Sequence, residues 1–200
     1  MNGIRIVRYA LWATVLVLLV ALGAVYYLRE TGDAPLTASA IRGGPFSLVD
    51  QHGNTVTEAS LKGHPSAMFF GYTFCPDICP TTLYEMTEVM NELGPDADRL
   101  NVYFVSVDPE RDTQEVMAEY MSAFDERFTG LTGSRAEIDR IIEGYRVYAR
   151  KVEREDGPYL IDHTAAVYLL DREGALTGTL DYREPTETAV NKLKRLLAAG

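Results

Sequence analysis

Phe74-Cys75-Pro76-Asp77-Ile78-Cys79-Pro80 is the stretch that decides the fold of this 200-residue chain. Before it lies Ser66–Tyr72 (Ser-Ala-Met-Phe-Phe-Gly-Tyr), a continuous apolar run suited to a central strand. After it, Leu83, Met86, Val89, Met90 and Leu93 recur at helical spacing, which predicts a helix over Pro80–Leu93. Pro80 has no N–H and disfavours helical angles at Cys79, so the helix is expected to begin at Pro80. Cys79 then sits near the N-cap and Cys75 in the loop before it. Both sulfurs face the positive end of the helix dipole, which favours thiolate. Thiolate serves metal binding and disulfide exchange alike, and a structural disulfide is a third use for such a pair.

Further along the chain, patterns alternate between the two periods. Pro45–Asp50, the turn Gln51–Asn54 and Thr55-Val56 predict a small hairpin, and Asn101–Val107 a second buried strand. Thr113–Phe124 reads as a helix with Val116, Tyr120 and Phe124 in line. Ser134 and Glu137 form a capping-box pattern ahead of a helix carrying Ile138, Ile141 and Ile142. Thr164–Leu170, the turn Asp171–Gly174 and Ala175–Tyr182 read as a hairpin, and Thr186–Leu197 as a closing helix. Strand–helix–strand, a further helix, then hairpin–helix is the order of a thioredoxin-like α/β domain with one inserted helix: a central mixed sheet flanked by helices.

The chain has three histidines, and topology separates them. His64 precedes the Ser66–Tyr72 strand, about 20 Å from the cysteines at about 3.3 Å per residue. His52 lies in a polar turn. His163 comes just before Thr164–Leu170, a strand expected to run antiparallel to the cysteine strand, so it is expected beside the sulfurs. Two thiolates and an imidazole suit Cu(I) at low coordination number. The same trio also occurs in catalytic zinc sites, but no general base stands at suitable spacing. Ordinary thioredoxins place a cis-proline where His163 lies; here no proline occurs between Pro158 and Pro185. The loop Asp108–Asp112 is expected to brace the fold, and Tyr72 and Phe74 to pack over the site.

Tyr9–Leu28 is an uncharged run rich in Leu, Val and Ala. Twenty residues at 1.5 Å each give about 30 Å, the thickness of a bilayer's hydrocarbon core. Trp12, Tyr26 and Tyr27 lie near its ends, Arg5 and Arg8 precede it, and Arg29 is followed by Glu30 and Asp33. The charge bias predicts residues 1–8 in the cytoplasm, 9–28 as a transmembrane helix and the remainder outside. A cleavable signal ending near Gly23 is the competing reading, but the apolar run continues past it. Without an Arg/Ser-rich transit sequence, the expectation is a bacterial inner membrane with a single pass and the domain in the periplasm. Residues 29–44 read as a tether and 45–200 as the domain. Three of the 19 basic residues precede Glu30, so the rest carries 16 basic against 29 acidic groups, a net of −13. That surface repels phosphate backbones, and nucleic acid is excluded as a partner.

These stretches, with Gly44–Asp50, Phe69–Pro80, Val105–Asp112, Phe128–Gly133 and Asp162-His163-Thr164 in that order, resemble the Sco/SenC/PrrC family of copper-binding assembly factors for cytochrome c oxidase. The resemblance covers residues 43 to 198. It implies a thioredoxin fold, one copper per chain as Cu(I) and Cu(II), and Cys75, Cys79 and His163 as the ligands. It further implies a metallochaperone that takes copper from an upstream donor and delivers it to the dinuclear copper site of oxidase subunit II. Two other roles are compatible with it. One is a thiol-disulfide reductase that keeps the oxidase cysteines reduced through a redox-active Cys75–Cys79 pair; the other is a copper or redox sensor.

Overall fold

A computed structural model describes residues 3–30 and 41–199 of the chain, which falls into two units, residues 1–38 and 39–200. The first unit contains helix α1, Gly3–Glu30. Its apolar side chains from Leu11 to Leu22 that are described, Trp12 among them, are exposed. Among the described residues, no helix is long and apolar enough to cross a membrane. The side chains described in α1 stop at Gly23, so Tyr26, Tyr27 and Arg29 at one end of the expected span, and Arg5 and Arg8 at the other, lie outside them. Most of the expected tether, residues 31–40, also lies outside the described residues.

The second unit is built around β3, Ser66–Gly71, every residue of which is buried. β4 (Asn101–Ser106) pairs parallel to it on one side, and β8 (Val167–Leu170) antiparallel on the other. β5 (Phe128–Thr132) extends the parallel part beyond β4, and β1 (Ser47–Asp50) and β2 (Thr55–Thr57) close that edge with antiparallel pairs. β9 (Leu176–Leu180) forms the other edge against β8, giving the order β2-β1-β5-β4-β3-β8-β9. The sheet is mixed, as the sequence order implies. Helix α2 (Ile78–Leu93) packs with α5 (Thr186–Ala198), α3 (Gln114–Met121) lies on β5, and α4 (Arg135–Gly144) approaches β1. A hairpin of β6 (Ala149–Val152) and β7 (Leu160–His163) forms a second sheet by itself.

Three local expectations change, and one strand is added. Helix α2 begins two residues before Pro80, with Asp77 as N-cap. Pro80 is then in the first turn, where its missing N–H has no intrahelical acceptor to lose, so the preference it imposes on Cys79 is overridden. Helix α3 ends at Met121 rather than Phe124, and its buried residues are Met117 and Met121, whereas Val116 and Tyr120 are only partly covered, as is Phe124 beyond its end. The two methionines fill the space over Gly130, where a Cβ would meet Met117 Sδ and Met121 Cγ at 2.6 Å. That glycine breaks the strand pattern of Phe128–Thr132, which is why β5 is not apparent as a strand in the sequence. The capping box at Ser134 is half made: Ser134 Oγ accepts from the Glu137 N–H at 3.3 Å, but the Glu137 carboxylate accepts from the Ser47 N–H at 2.9 Å instead.

The start of the domain is tied to one end of the sheet. Arg42 bridges Ala175 and the Leu176 N–H donates to the Ile41 carbonyl at 3.0 Å, beyond the end of β8 that pairs with Ser66. Gly43 and Gly144 meet so closely that a Cβ on Gly144 would lie 2.0 Å from the Gly43 carbonyl oxygen.

Candidate metal centre

At the other end of the sheet, β3 runs out at Gly71 and the chain turns at once. The Cys75 N–H donates to the Tyr72 carbonyl at 3.2 Å, which closes the loop over the strand end. Asp77 makes no side-chain cap to α2; instead the Cys79 N–H donates to Cys75 Sγ at 3.4 Å. Cys75 sulfur thus accepts one of the orphan donors of the first turn, a role that negative charge on the sulfur strengthens. Cys79 lies in that turn, fully buried, with Sγ against the backbone of Gly71, where a Cβ would be 2.6 Å away. Cys75 is half-buried; neither cysteine is disulfide-bonded.

His163 is the last residue of β7, rather than the residue before the next strand, and its arm brings it to the sulfurs as expected. Its Nε2 lies 3.5 Å from Cys79 Sγ, and its Nδ1 lies 3.0 Å from the Thr164 carbonyl oxygen. A carbonyl only accepts, so the neutral ring carries its proton on Nδ1 and turns the Nε2 lone pair toward the thiols. The ring stands edge-on to Tyr72 and Phe69, with centroids at 5.8 and 6.0 Å, which fixes its plane. The ligand atoms of Cys75, Cys79 and His163 all lie within 4.8 Å of one another. A trigonal ion with metal–sulfur bonds of about 2.3 Å and a metal–nitrogen bond of about 2.0 Å needs ligand atoms just under about 4 Å apart. The trio fits such an ion with only small closure. His52 and His64 are exposed and apart from it, and no other such cluster occurs among the described residues.

The two thiols have opposite electrostatics. The hydrogen bond from the Cys79 thiol holds Cys75 at a pKa of about 3, aided by the N–H groups of Asp77 and Cys79, against the effect of burial. Burial pushes Cys79 up, and the charge on Cys75 pushes it further. Without metal, the pair therefore carries one thiolate, on the accessible sulfur, and one thiol beneath it.

The Asp108–Asp112 loop braces this arrangement. Asp112 is fully buried and accepts from Thr73 Oγ1 and Ser106 Oγ, each at 2.6 Å, and from the Thr73 N–H at 3.2 Å. Burial pushes its carboxyl up, with those hydrogen bonds opposing. Tyr72 is buried over the site as expected, but Phe74 is 52% exposed, with its ring beside the Arg111 guanidinium. Gly71, Arg111 and Tyr159 also shape the site and carry no chemical motif of their own. The clue in sequence is position alone, since Gly71 ends the cysteine strand and Arg111 sits in the charged loop after β4.

A half-exposed thiolate, a buried thiol and an oriented imidazole at the end of a mixed sheet define a thioredoxin-like protein with a soft-metal or dithiol centre. The family model described as SCO1/SenC matches residues 34–198, and the chain belongs to that family. It is 38% identical over 168 residues to the SCO2-like protein of Rickettsia prowazekii, covering 78% of this chain and 82% of the relative. Among solved structures, ScoI of Bradyrhizobium japonicum with copper bound superposes with a TM-score of 0.73 at 52% identity, over 78% of this chain and 99% of that one. Yeast Sco1 with copper bound gives a TM-score of 0.73 at 35% identity, over 80% and 91%.

Proposed function

We propose that the protein is a copper metallochaperone whose cargo, one copper ion per chain, is held by Cys75, Cys79 and His163. The observation that carries this reading is the cluster itself: three soft or borderline donors within 4.8 Å, with Nε2 left free by the Nδ1 contact to Thr164. Thiolate and imidazole suit Cu(I). The copper-bound ScoI and yeast Sco1 structures support the same cargo here. The asymmetry of the thiols suits release, because Cys75 is the ligand an acceptor reaches first while Cys79 and His163 retain the ion. Family membership supports a place in cytochrome c oxidase assembly, with the dinuclear copper site of subunit II as acceptor and a separate donor upstream. The uncharged Tyr9–Leu28 run and the exposed apolar side chains of α1 support a membrane anchor, with the domain on the periplasmic side of a bacterial inner membrane.

The same asymmetry favours a second reading, a thiol-disulfide reductase. Cys75 thiolate would attack a partner disulfide and form a mixed disulfide while releasing one partner thiolate. Cys79, giving up its proton to the departing partner sulfur, would then attack Cys75 Sγ, freeing the second partner cysteine as a thiol and leaving a Cys75–Cys79 disulfide. His163 separates the two readings, since only copper needs it as a donor. With the full chain in detergent, His163→Ala is expected to lose Cu(I) affinity by at least tenfold and to lose transfer to purified subunit II. Its Cys75–Cys79 redox cycle should remain. Wild-type oxidase assembly at low copper by His163→Ala, with failure only in Cys75→Ser and Cys79→Ser, removes the copper reading and leaves the reductase.

A further inference from the structure

The hairpin that carries His163 pairs with no other strand among the described residues, so something other than sheet hydrogen bonds must hold it to the cysteine loop. Arg111, in the loop after β4, touches every part involved. Its Nε donates to the buried Asp108, and its Nη1 donates to the Tyr159 carbonyl at 3.0 Å. Its guanidinium carbon lies 3.7 Å from the ring centre of Tyr159, 4.9 Å from that of Phe74 and 5.6 Å from that of Tyr72. Nη2 is buried without a hydrogen-bond partner among the described residues. Lys151 Nζ closes the Tyr159 ring at 3.8 Å, and the Tyr159 hydroxyl donates to Asp108 Oδ1 at 2.9 Å.

Each ring leads to the site. Phe74 precedes Cys75. Tyr159 immediately precedes β7, which ends at His163. Tyr72 stands edge-on to the imidazole, and its hydroxyl accepts from the Ile161 N–H at 3.3 Å. We propose that Arg111 is a positioning residue: it clamps the β6–β7 hairpin to the cysteine loop and thereby sets the distance from the His163 imidazole to the two thiols. A planar, stacked and forked cation is required, and the compact ammonium of lysine does not supply it. The consequence for copper affinity rests on the ligand set proposed above; the clamp itself does not.

The test uses the full chain in detergent, with Arg111→Gln, Arg111→Lys, Tyr159→Leu and His163→Ala beside the wild type. Amide hydrogen exchange is read on the reduced, copper-free protein, and Cu(I) affinity by competition with a chromophoric chelator. Arg111→Gln and Tyr159→Leu are expected to lose protection at Ile161 and through β6–β7 by about tenfold or more while β3 and β4 stay protected. Their Cu(I) affinity should fall by about 10–100-fold, the usual cost of removing support behind a metal ligand. Arg111→Lys should recover less than half of the lost protection. Unchanged hairpin protection in both Arg111→Gln and Tyr159→Leu overturns the proposal, as does equal loss across β3, β4 and the hairpin. If His163→Ala keeps wild-type affinity, the proposed ligand set fails, and the exchange data alone decide the clamp.

Discussion

Gly71→Ala tests how the sheet fixes the metal centre. Gly71 is the last residue of β3 and is not in the left-handed region, so alanine is allowed by the backbone. A Cβ there would lie 2.6 Å from Cys79 Sγ and 2.7 Å from Phe104 Cε2. Ordinary contact needs about 3.5–4.0 Å, so the sulfur must retreat by about 1 Å. Phe104 is fully buried and belongs to the neighbouring strand, which leaves the sulfur as the group that yields. Overpacking of this kind costs about 1–3 kcal/mol of stability. Retreat from Gly71 also disturbs the 3.5 Å contact with His163 Nε2. The expectation is a lower melting temperature together with a fall of about 10–100-fold in Cu(I) affinity, of the size seen when support behind a ligand is removed. Thermal unfolding and chelator competition on the full chain measure the two. Gly178→Ala is the control, because nothing lies within 4 Å of its Cβ position. Wild-type affinity and stability in Gly71→Ala would refute the placement of Cys79 against the strand.

Two other outcomes follow from the electrostatics and the N-terminus. With Cys75 held at about 3, iodoacetamide should label it in the copper-free protein at a rate nearly constant from pH 5 to 8, with Cys79 spared; a rate rising tenfold per unit across that range, as for an ordinary thiol, would contradict the thiolate. The mature chain should remain in the membrane fraction after carbonate washing and start ahead of Ala24; a soluble product beginning at Ala24 would mean that the N-terminal run is a cleaved signal.

The main sheet was legible because its decisive strands are apolar throughout: Ser66–Tyr72 and Asn101–Val107 read as buried strands, and β3 and β4 stand at its centre. The neighbourhood of His163 was legible for a topological reason, since an antiparallel β8 must begin where β3 ends. Less visible were elements whose pattern is decided by a partner. β5 contains a glycine required by two methionines of α3, and β6 reads Ala-Arg-Lys-Val, with charges that face outward. The helix start at Ile78 was hidden because the preference imposed by Pro80 is weaker than the closure of the loop by Cys75. Arg111 could not be singled out from the chain's other arginines, because its role depends on three rings that are distant in sequence.

The attachment of Ile41 and Arg42 beside Ala175 gives the domain a base and a tip. β3 separates the two by about 20 Å at the usual rise per residue. The sulfurs stand at the tip, and Ile41 and Arg42 are held at the base. The half-buried Cys75 is thus set a full strand length away from the point where the domain's first described residues join the sheet.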